Sequence, residues 1–139
     1  MNYHLVILKR PYLDLILSGV KSIELRLTRS ERPMGGRVQP GDGLFLKASA
    51  GPVCGKATVE KIRHYTDLTP DRIVEIRRQY GDRIGGDDAI WEIMMDRRSG
   101  FLAWLADVRR IEPIHIHKKD WRAWVPLKEG KDFGLLSHT

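Results

Sequence analysis

The sequence has very little cysteine and no long hydrophobic run. Cys54 is the single cysteine among 139 residues, so neither an internal disulfide nor a zinc site built from several cysteines can form. Lys9, Arg10, Pro11 and Asp14 interrupt the apolar N-terminal stretch, which argues against a signal peptide or a membrane span there. We therefore expect a cytoplasmic protein in a reducing compartment, with no membrane partner.

Two common kinds of ligand site are also missing. No glycine-rich phosphate loop follows a predicted strand, and strands do not alternate regularly with long helices, which argues against a parallel, doubly wound sheet. His115 and His117 would share one face of an extended segment near Asp120, but third and fourth ligands at metal-binding spacing are lacking. We expect neither a metal ion nor an organic cofactor.

Positive charge is present in excess. The chain contains 24 Lys and Arg against 18 Asp and Glu, a formal net charge of +6. Such an excess favours anionic partners such as RNA, DNA or nucleotides, although it is also found in basic proteins that bind none of them. With 42% hydrophobic residues, the chain has enough apolar material for one core, and a monomer is the expected state.

The hydrophobic pattern predicts five strands and three helices, because its period changes between two and about 3.6 residues. The predicted strands cover 3–9, 22–28, 44–49, 53–65 and 100–114. The predicted helices begin at Pro11, Pro70 and Asp87. Gly19 and Gly81 are expected to end the first two, and the third is expected to run to Arg97. This order predicts an α+β domain on a small curled sheet, with a helical insertion before the last strand.

The stretch GVKSIELR, residues 19–26, concentrates charge at the start of the second strand. Glu24 and Arg26 are two residues apart and project from one face of that half-buried strand, while Ile23 faces the core. Lys21 lies at the strand entrance, where the partial negative charge at the end of the preceding helix would keep it protonated. We expect one carboxylate flanked by two cations, which either bind a polar ligand or pair with one another.

The chain resembles the ASCH domain family, whose motif is G-x-K-x-x-E-x-R. Gly19, Lys21, Glu24 and Arg26 match the four positions, and the stretches KRPYLDLILSGVKSIELR, VEKIRHY and DVRRIEPI agree with the family pattern. The resemblance covers about residues 3–114. It implies a small PUA-like β-barrel over residues 1–114, and we expect 115–139 to form a C-terminal extension that packs on the same domain.

The resemblance also implies a cleft beside the motif that binds RNA or a nucleotide-like ligand. Lys21, Glu24 and Arg26 would line it. Lys21 and Arg26 would meet phosphate or a base carbonyl, while Glu24 would accept a hydrogen bond from an exocyclic amine or a ribose hydroxyl. Lys9 and Lys47 are weaker candidates for its wall. The loop arginines Arg29, Arg32 and Arg37 would contact the nucleic-acid backbone or remain solvated.

Aromatic side chains are expected near such a cleft, because unstacked bases pack on them. Tyr12 and Trp104 are candidates, with core packing as the competing role. Trp121 and Trp124, among basic residues near the C-terminus, would form a stacking surface or an adaptor surface for another protein. The interpretation we prefer is that this segment folds back over an open edge of the sheet.

A small hydrolase is the alternative function. Some ASCH proteins are amidohydrolases of acylated cytidine-type nucleosides that use a lysine, a threonine and a glutamate, and ribonuclease activity has been proposed for others. Glu24 stands where those amidohydrolases have the threonine, which argues for a binding domain. If the chain is an enzyme, Lys21 or Glu24 would be the general base, and Glu60, Glu92 and Glu112 are the candidates to assist it.

Overall fold

The computed structural model describes residues 1–30, 38–118 and 122–139. The strands are β1 (Tyr3–Leu8), β2 (Ile23–Thr28), β3 (Gly43–Ala48), β4 (Val53–Tyr65), β5 (Ser99–Ile114) and β6 (Trp124–Pro126). The helices are α1 (Arg10–Leu17), α2 (Pro70–Ile84) and α3 (Asp88–Ile93), and short 3-10 turns cover Met94–Asp96 and Leu135–His138. The predicted α+β class, with an early helix and a helical insertion, is confirmed.

The six strands form one curled, mixed sheet in the order β2-β5-β4-β3-β1-β6. Neighbouring strands are antiparallel except for β1 and β3, which run parallel. The register of β4 shifts next to Gly55. A Cβ at Gly55 would lie 2.9 Å from Leu17 Cδ2 of α1, so the absence of a side chain there lets the early helix pack closely on the sheet.

The early helix begins and ends as the sequence predicts. Pro11 lies in its first turn, and Leu13 and Ile16 are its buried residues. Gly19 follows with a φ of +85°, the left-handed conformation that glycine adopts without a steric penalty. The chain then enters β2, so the motif strand starts immediately behind a short, well-anchored helix.

The helical insertion differs from its prediction at both helix ends. The predicted stop of α2 at Gly81 is wrong, because the helix continues to Ile84 and ends before Gly85, whose φ is +82°. A glycine inside a helix costs about 1 kcal/mol, and burial of Ile84, which is 5% exposed, outweighs that cost. The predicted helix 87–97 is shorter as well, because α3 ends at Ile93 and a 3-10 turn follows.

The C-terminal segment completes one edge of the sheet. Strand β6 pairs antiparallel with β1, and Ala123 O accepts a hydrogen bond from Ile7 N. The last strand along the chain is therefore β6, and not the strand 100–114 as predicted. Leu127 and Leu135 are buried behind β6, so this part of the tail covers an open edge and belongs to the core. None of the helices in the described ranges combines the length and apolarity needed to cross a bilayer.

Candidate functional site

A cleft lies where the curled sheet brings β1 near β2. These strands are not neighbours in the sheet, yet Arg26 of β2 donates a hydrogen bond from Nη2 to Ile7 O of β1, at 3.0 Å. The cleft beside this contact has a volume of about 660 Å³, which lies within the range of small-molecule sites in proteins. Tyr12 of α1 lines one part of it.

The charges around the cleft are mostly positive. Among the described residues, Glu24 is the acidic residue of the lining. The cations of the lining come from several separate parts of the chain, and they are Lys9, Arg26, Lys47, Arg97, Lys118 and Arg122. Six cations around one carboxylate favour an anionic ligand, because their potentials add within a concave surface.

Glu24 lies at the centre of the motif, but its ion pairs are long. Its Oε1 is 3.4 Å from Arg26 Nε, and its Oε2 is 3.9 Å from Lys21 Nζ. Glu24 Oε2 and Arg26 Nε are both buried without a hydrogen-bond partner among the described residues. The three charges converge as predicted, although Glu24 is only 7% exposed, so both faces of β2 are covered at this point and the half-buried prediction is wrong there.

Lys21 occupies a different position from the one predicted. Its Nζ donates to Ile23 O at 2.6 Å and to Ile84 O at 2.5 Å. The partner is therefore the C-terminal end of α2, and not the end of α1. Lys21 is 4% exposed and does not line the main cleft. Burial lowers its pKa, the charge of Glu24 opposes that effect, and the charge of Arg26 adds to it.

A small recess opens beside the main cleft and holds Lys21. It has a volume of about 100 Å³ and lies between β2, the end of α2 and α3. Tyr12, Glu24 and Met94 line both the recess and the cleft, so the two spaces adjoin. Glu24 thus stands between them, with Oε2 on the side of Lys21 and Oε1 on the side of Arg26.

Aromatic side chains support this site in ways that the sequence did not reveal. The Arg26 guanidinium lies 5.8 Å from the ring centre of Trp124, and Trp124 packs edge-on against Phe101 at 5.0 Å. Trp124 is 9% exposed, so it supports Arg26 from the core and is not an exposed stacking surface. Trp104 is also buried, whereas Tyr12 lines the cleft. Trp121 lies outside the described residues.

The remaining predicted residues divide into three groups: those that line the cleft, those that do not, and those outside the described residues. Lys9 and Lys47 line the cleft. Arg29 forms an exposed ion pair with Asp96 at 2.7 Å and does not line it, while Arg32 and Arg37 lie outside the described residues. The three glutamates considered as helpers of a general base are exposed and lie outside the cleft lining, and they are Glu60, Glu92 and Glu112.

Sequence reasoning missed three of the cleft cations. Arg97 follows the 3-10 turn after α3, and Lys118 and Arg122 lie between β5 and β6 in the sequence. Lys118 and Arg122 belong to a basic, Trp-containing stretch that was a usable signal, whereas nothing in the sequence pattern distinguishes Arg97 from its neighbours. His115 and His117 are exposed, and the described ranges contain no cluster of three metal-ligating side chains. Asp120 lies outside those ranges.

Fold and site together define a PUA-like α+β domain with a basic cleft at the seam of its curled sheet. The family model of the ASCH domain matches residues 6–70 of this chain. That match includes all four motif positions, Gly19, Lys21, Glu24 and Arg26. The predicted resemblance to the ASCH family is therefore confirmed.

Solved structures of ASCH proteins have the same fold. A point mutant of the ASCH protein from Zymomonas mobilis superposes with a TM-score of 0.74 at 16% identity, over 99% of this chain and 98% of that one. Another structure of the Zymomonas mobilis protein gives a TM-score of 0.70 at 17% identity, over 97% and 94%. No curated protein matches the chain. At these identities, the structural likeness establishes the fold.

Proposed function

We propose that this protein binds single-stranded RNA, or a nucleotide-like ligand, in the cleft between β1 and β2, with no metal or organic cofactor. The observation that carries this proposal is the convergence of six cations and one carboxylate on a single cleft of about 660 Å³. Phosphate groups are the anions that such a cluster suits best, because Lys and Arg donate charge-assisted hydrogen bonds to them. The role in RNA binding proposed for ASCH domains is consistent with this assignment.

The lining residues divide between backbone contact and base contact. Lys9 is exposed at the rim, and Lys47 projects from the end of β3, so both suit phosphate groups. Glu24 is an acceptor within the cleft and suits an N–H group of a base. Tyr12 provides an aromatic ring beside Glu24. An unpaired base therefore suits this site better than a base pair, whose polar edges are already occupied.

Salt-dependent binding of single-stranded RNA tests the proposal. We expect fluorescence anisotropy to show an affinity that falls steeply between about 50 and about 200 mM salt. Lys9→Ala removes one exposed cation from the rim, so it should weaken binding and reduce the slope of log Kd against log salt by about one. The Lys9 side chain is exposed and makes no hydrogen bond or ion pair with the other described residues, which keeps this test separate from stability.

Arg72→Ala is the matched control, because it removes one exposed cation from α2, away from the cleft. It changes the net charge by the same amount as Lys9→Ala and should leave the affinity nearly unchanged. Equal losses in the two variants would show that binding follows the overall charge and not the cleft. Absence of RNA binding at low salt would reject the proposal.

Hydrolysis of RNA or of a modified nucleoside is the second candidate, and one observation favours it. Lys21 is buried beside Glu24 with its pKa lowered, a combination that is common in active sites. However, Lys21 Nζ already donates to two backbone carbonyls, which explains its position without catalysis. Intact RNA after long incubation with the protein supports a binding role, and shortened products would support the hydrolase.

A further inference from the structure

A second cavity continues the basic cleft at the end away from the recess. It has a volume of about 320 Å³ and lies between the turn that joins β3 to β4 and the segment after β5. Lys47, Ala50 and Lys118 line both this cavity and the main cleft. The second cavity therefore borders the cleft directly, and the residues at their junction include two cations.

The junction concentrates positive charge. Lys47 Nζ donates to Ala48 O at 3.1 Å. Burial lowers the pKa of Lys47, and the nearby charge of Lys118 lowers it further. Two like charges held close together repel, and an anion placed between them would convert that repulsion into attraction to both. The junction therefore suits a phosphate group.

The turn that separates the two spaces adds a third cation nearby. A Cβ on Gly51 would lie 3.2 Å from Arg10 Nη2, so the Arg10 guanidinium lies against this turn. Gly51 and Pro52 line the second cavity, together with the exposed His115. Positive charge is thus also present beyond the main cleft, beside the turn that borders the second cavity.

The recess at the other end of the path limits what can enter there. A volume of about 100 Å³ corresponds to about three water molecules in the liquid, which is too small for a base pair. Glu24 provides an acceptor at its entrance. The spaces therefore lie in a sequence: a recess for one unpaired group, a cleft lined with cations, and a second cavity with cations at its mouth.

On the basis of the proposed RNA binding, we propose that the ligand is a single-stranded oligonucleotide that crosses both cavities. One unpaired base would lie in the cleft beside Glu24, with its polar edge at the mouth of the recess, and a phosphate further along the oligonucleotide would lie between Lys47 and Lys118 at the second cavity. A free nucleotide carries its phosphate groups at one end only, so it would fill part of this path. An oligonucleotide has an anion at every residue and would occupy all of it.

Affinity as a function of ligand length tests the inference. The probes are labelled uridine monophosphate and oligouridylates of three and six nucleotides, measured with the full chain at low salt. We expect the six-residue oligonucleotide to bind at least about tenfold more tightly than the mononucleotide, because additional phosphates meet cations. Equal affinities per molecule for the three probes would overturn the inference while leaving the proposed function intact. Failure of all three to bind would reject the proposed function itself.

The variant His115→Glu tests whether the longer oligonucleotide contacts the second cavity. It places a carboxylate in the second cavity, so it should weaken binding of the six-residue oligonucleotide about fivefold and leave the mononucleotide affinity unchanged. His117→Glu is the matched control, because His117 is exposed two residues away and lines neither cavity. Equal losses in the two variants would overturn the inference. A loss confined to His115→Glu and to the longer ligand supports it.

Discussion

Two buried carboxylates in this fold have very different surroundings. Asp42 and Glu24 are 3% and 7% exposed, and they are the buried acidic residues of the described ranges. Asp42 accepts three hydrogen bonds and is absent from the lining of the cleft and its recess, whereas Glu24 has only long ion pairs and lines both. A saturated carboxylate of this kind stabilises the fold, whereas a carboxylate that lacks close partners beside a cleft is the better candidate for a ligand contact.

Asp42 joins the turn before β3 to the N-terminal strand. Its Oδ1 accepts from Asn2 N at 3.0 Å, and its Oδ2 accepts from His4 Nε2 at 2.9 Å and from Gln39 N at 3.0 Å. Burial alone would raise the pKa of Asp42, but these hydrogen bonds together outweigh burial and hold the pKa below its usual 3.8. The carboxylate is therefore ionised, and His4 carries the proton on Nε2.

Asp42→Ala should produce the largest loss of stability. It leaves His4, which is fully buried, and two backbone N–H groups without their acceptor. Breaking a buried, hydrogen-bonded pair in this way costs about 3–5 kcal/mol. Urea unfolding measures the loss, and Glu60→Ala, an exposed acidic residue of β4, should change the free energy of unfolding by less than about 0.5 kcal/mol.

The same variant should show a defined pH dependence. Because the folded-state pKa of Asp42 lies below its value of 3.8 in the unfolded chain, its contribution is fully present above pH 3.8. It is lost as the pH falls from 3.8 through the folded-state pKa. The stability gap between the wild type and Asp42→Ala should therefore shrink in that acidic window. A gap that stays constant there would contradict the assignment of an ionised, hydrogen-bonded carboxylate.

Lys21→Met should have an intermediate effect. It keeps an apolar side chain in place but removes the donor for Ile23 O and Ile84 O. A hydrogen bond to a charged group contributes about 1.5–3 kcal/mol, so we expect a loss of about 2 kcal/mol near neutral pH. Lys128→Met, at an exposed position, is the control for removal of a lysine charge, and thermal unfolding is the measurement.

The pH dependence of this second variant has the same sense but lies in a different window, because the pKa of Lys21 is also lowered in the folded protein. Burial lowers the pKa of Lys21 in the folded protein from 10.5, so the unfolded chain binds more protons between the folded-state pKa and 10.5. The stability of the wild type relative to Lys21→Met should rise with pH through that window. If the gap narrowed instead, Lys21 would be more strongly protonated in the folded state than in the unfolded state.

Glu24→Gln should have the smallest effect on stability and a clear effect on binding. Its carboxylate accepts no close hydrogen bond from the other described residues, so we expect a change in the free energy of unfolding of about 1 kcal/mol or less. The amide both donates and accepts, so the ranking of the four nucleotides as competitors for the proposed RNA site should change. Glu92→Gln, which is exposed, is the control.

A large stability loss in Glu24→Gln, comparable to that of Asp42→Ala, would remove the contrast between the two carboxylates. An unchanged nucleotide ranking would also count against Glu24 as the residue that reads the base. Stability and ranking therefore test the two halves of the comparison separately, one by unfolding and the other by competition.

Local pattern was sufficient to locate the motif and most of the elements around it. The change from helical to strand period after Gly19 placed Lys21, Glu24 and Arg26 at the start of β2, and their charges do converge. The hydrophobic pattern did not predict the burial of Glu24 correctly. Alternation along β2 predicted a half-exposed Glu24, but the curl of the sheet and the helical insertion cover that face as well.

Contacts between distant parts of the chain were beyond the reach of the pattern. Lys21 meets Ile84, which is 63 residues away, and Asp42 meets His4, which is 38 residues away. The end of α2 at Ile84 depended on burial against the core and not on the glycine at 81. Only the folded chain shows which polar group finds a partner, because hydrogen bonds depend on distances between atoms and not on separation in sequence.

The sequence by itself determined the α+β class, the position of the charged motif and the net positive charge, because these depend on local periodicity and composition. The tertiary structure decided which charges meet. It buried Lys21 against α2, left Glu24 with long ion pairs, and brought Arg97, Lys118 and Arg122 to the same cleft. The physical reason is that the strength of charge interactions and the cost of burial both depend on the folded geometry of the whole chain.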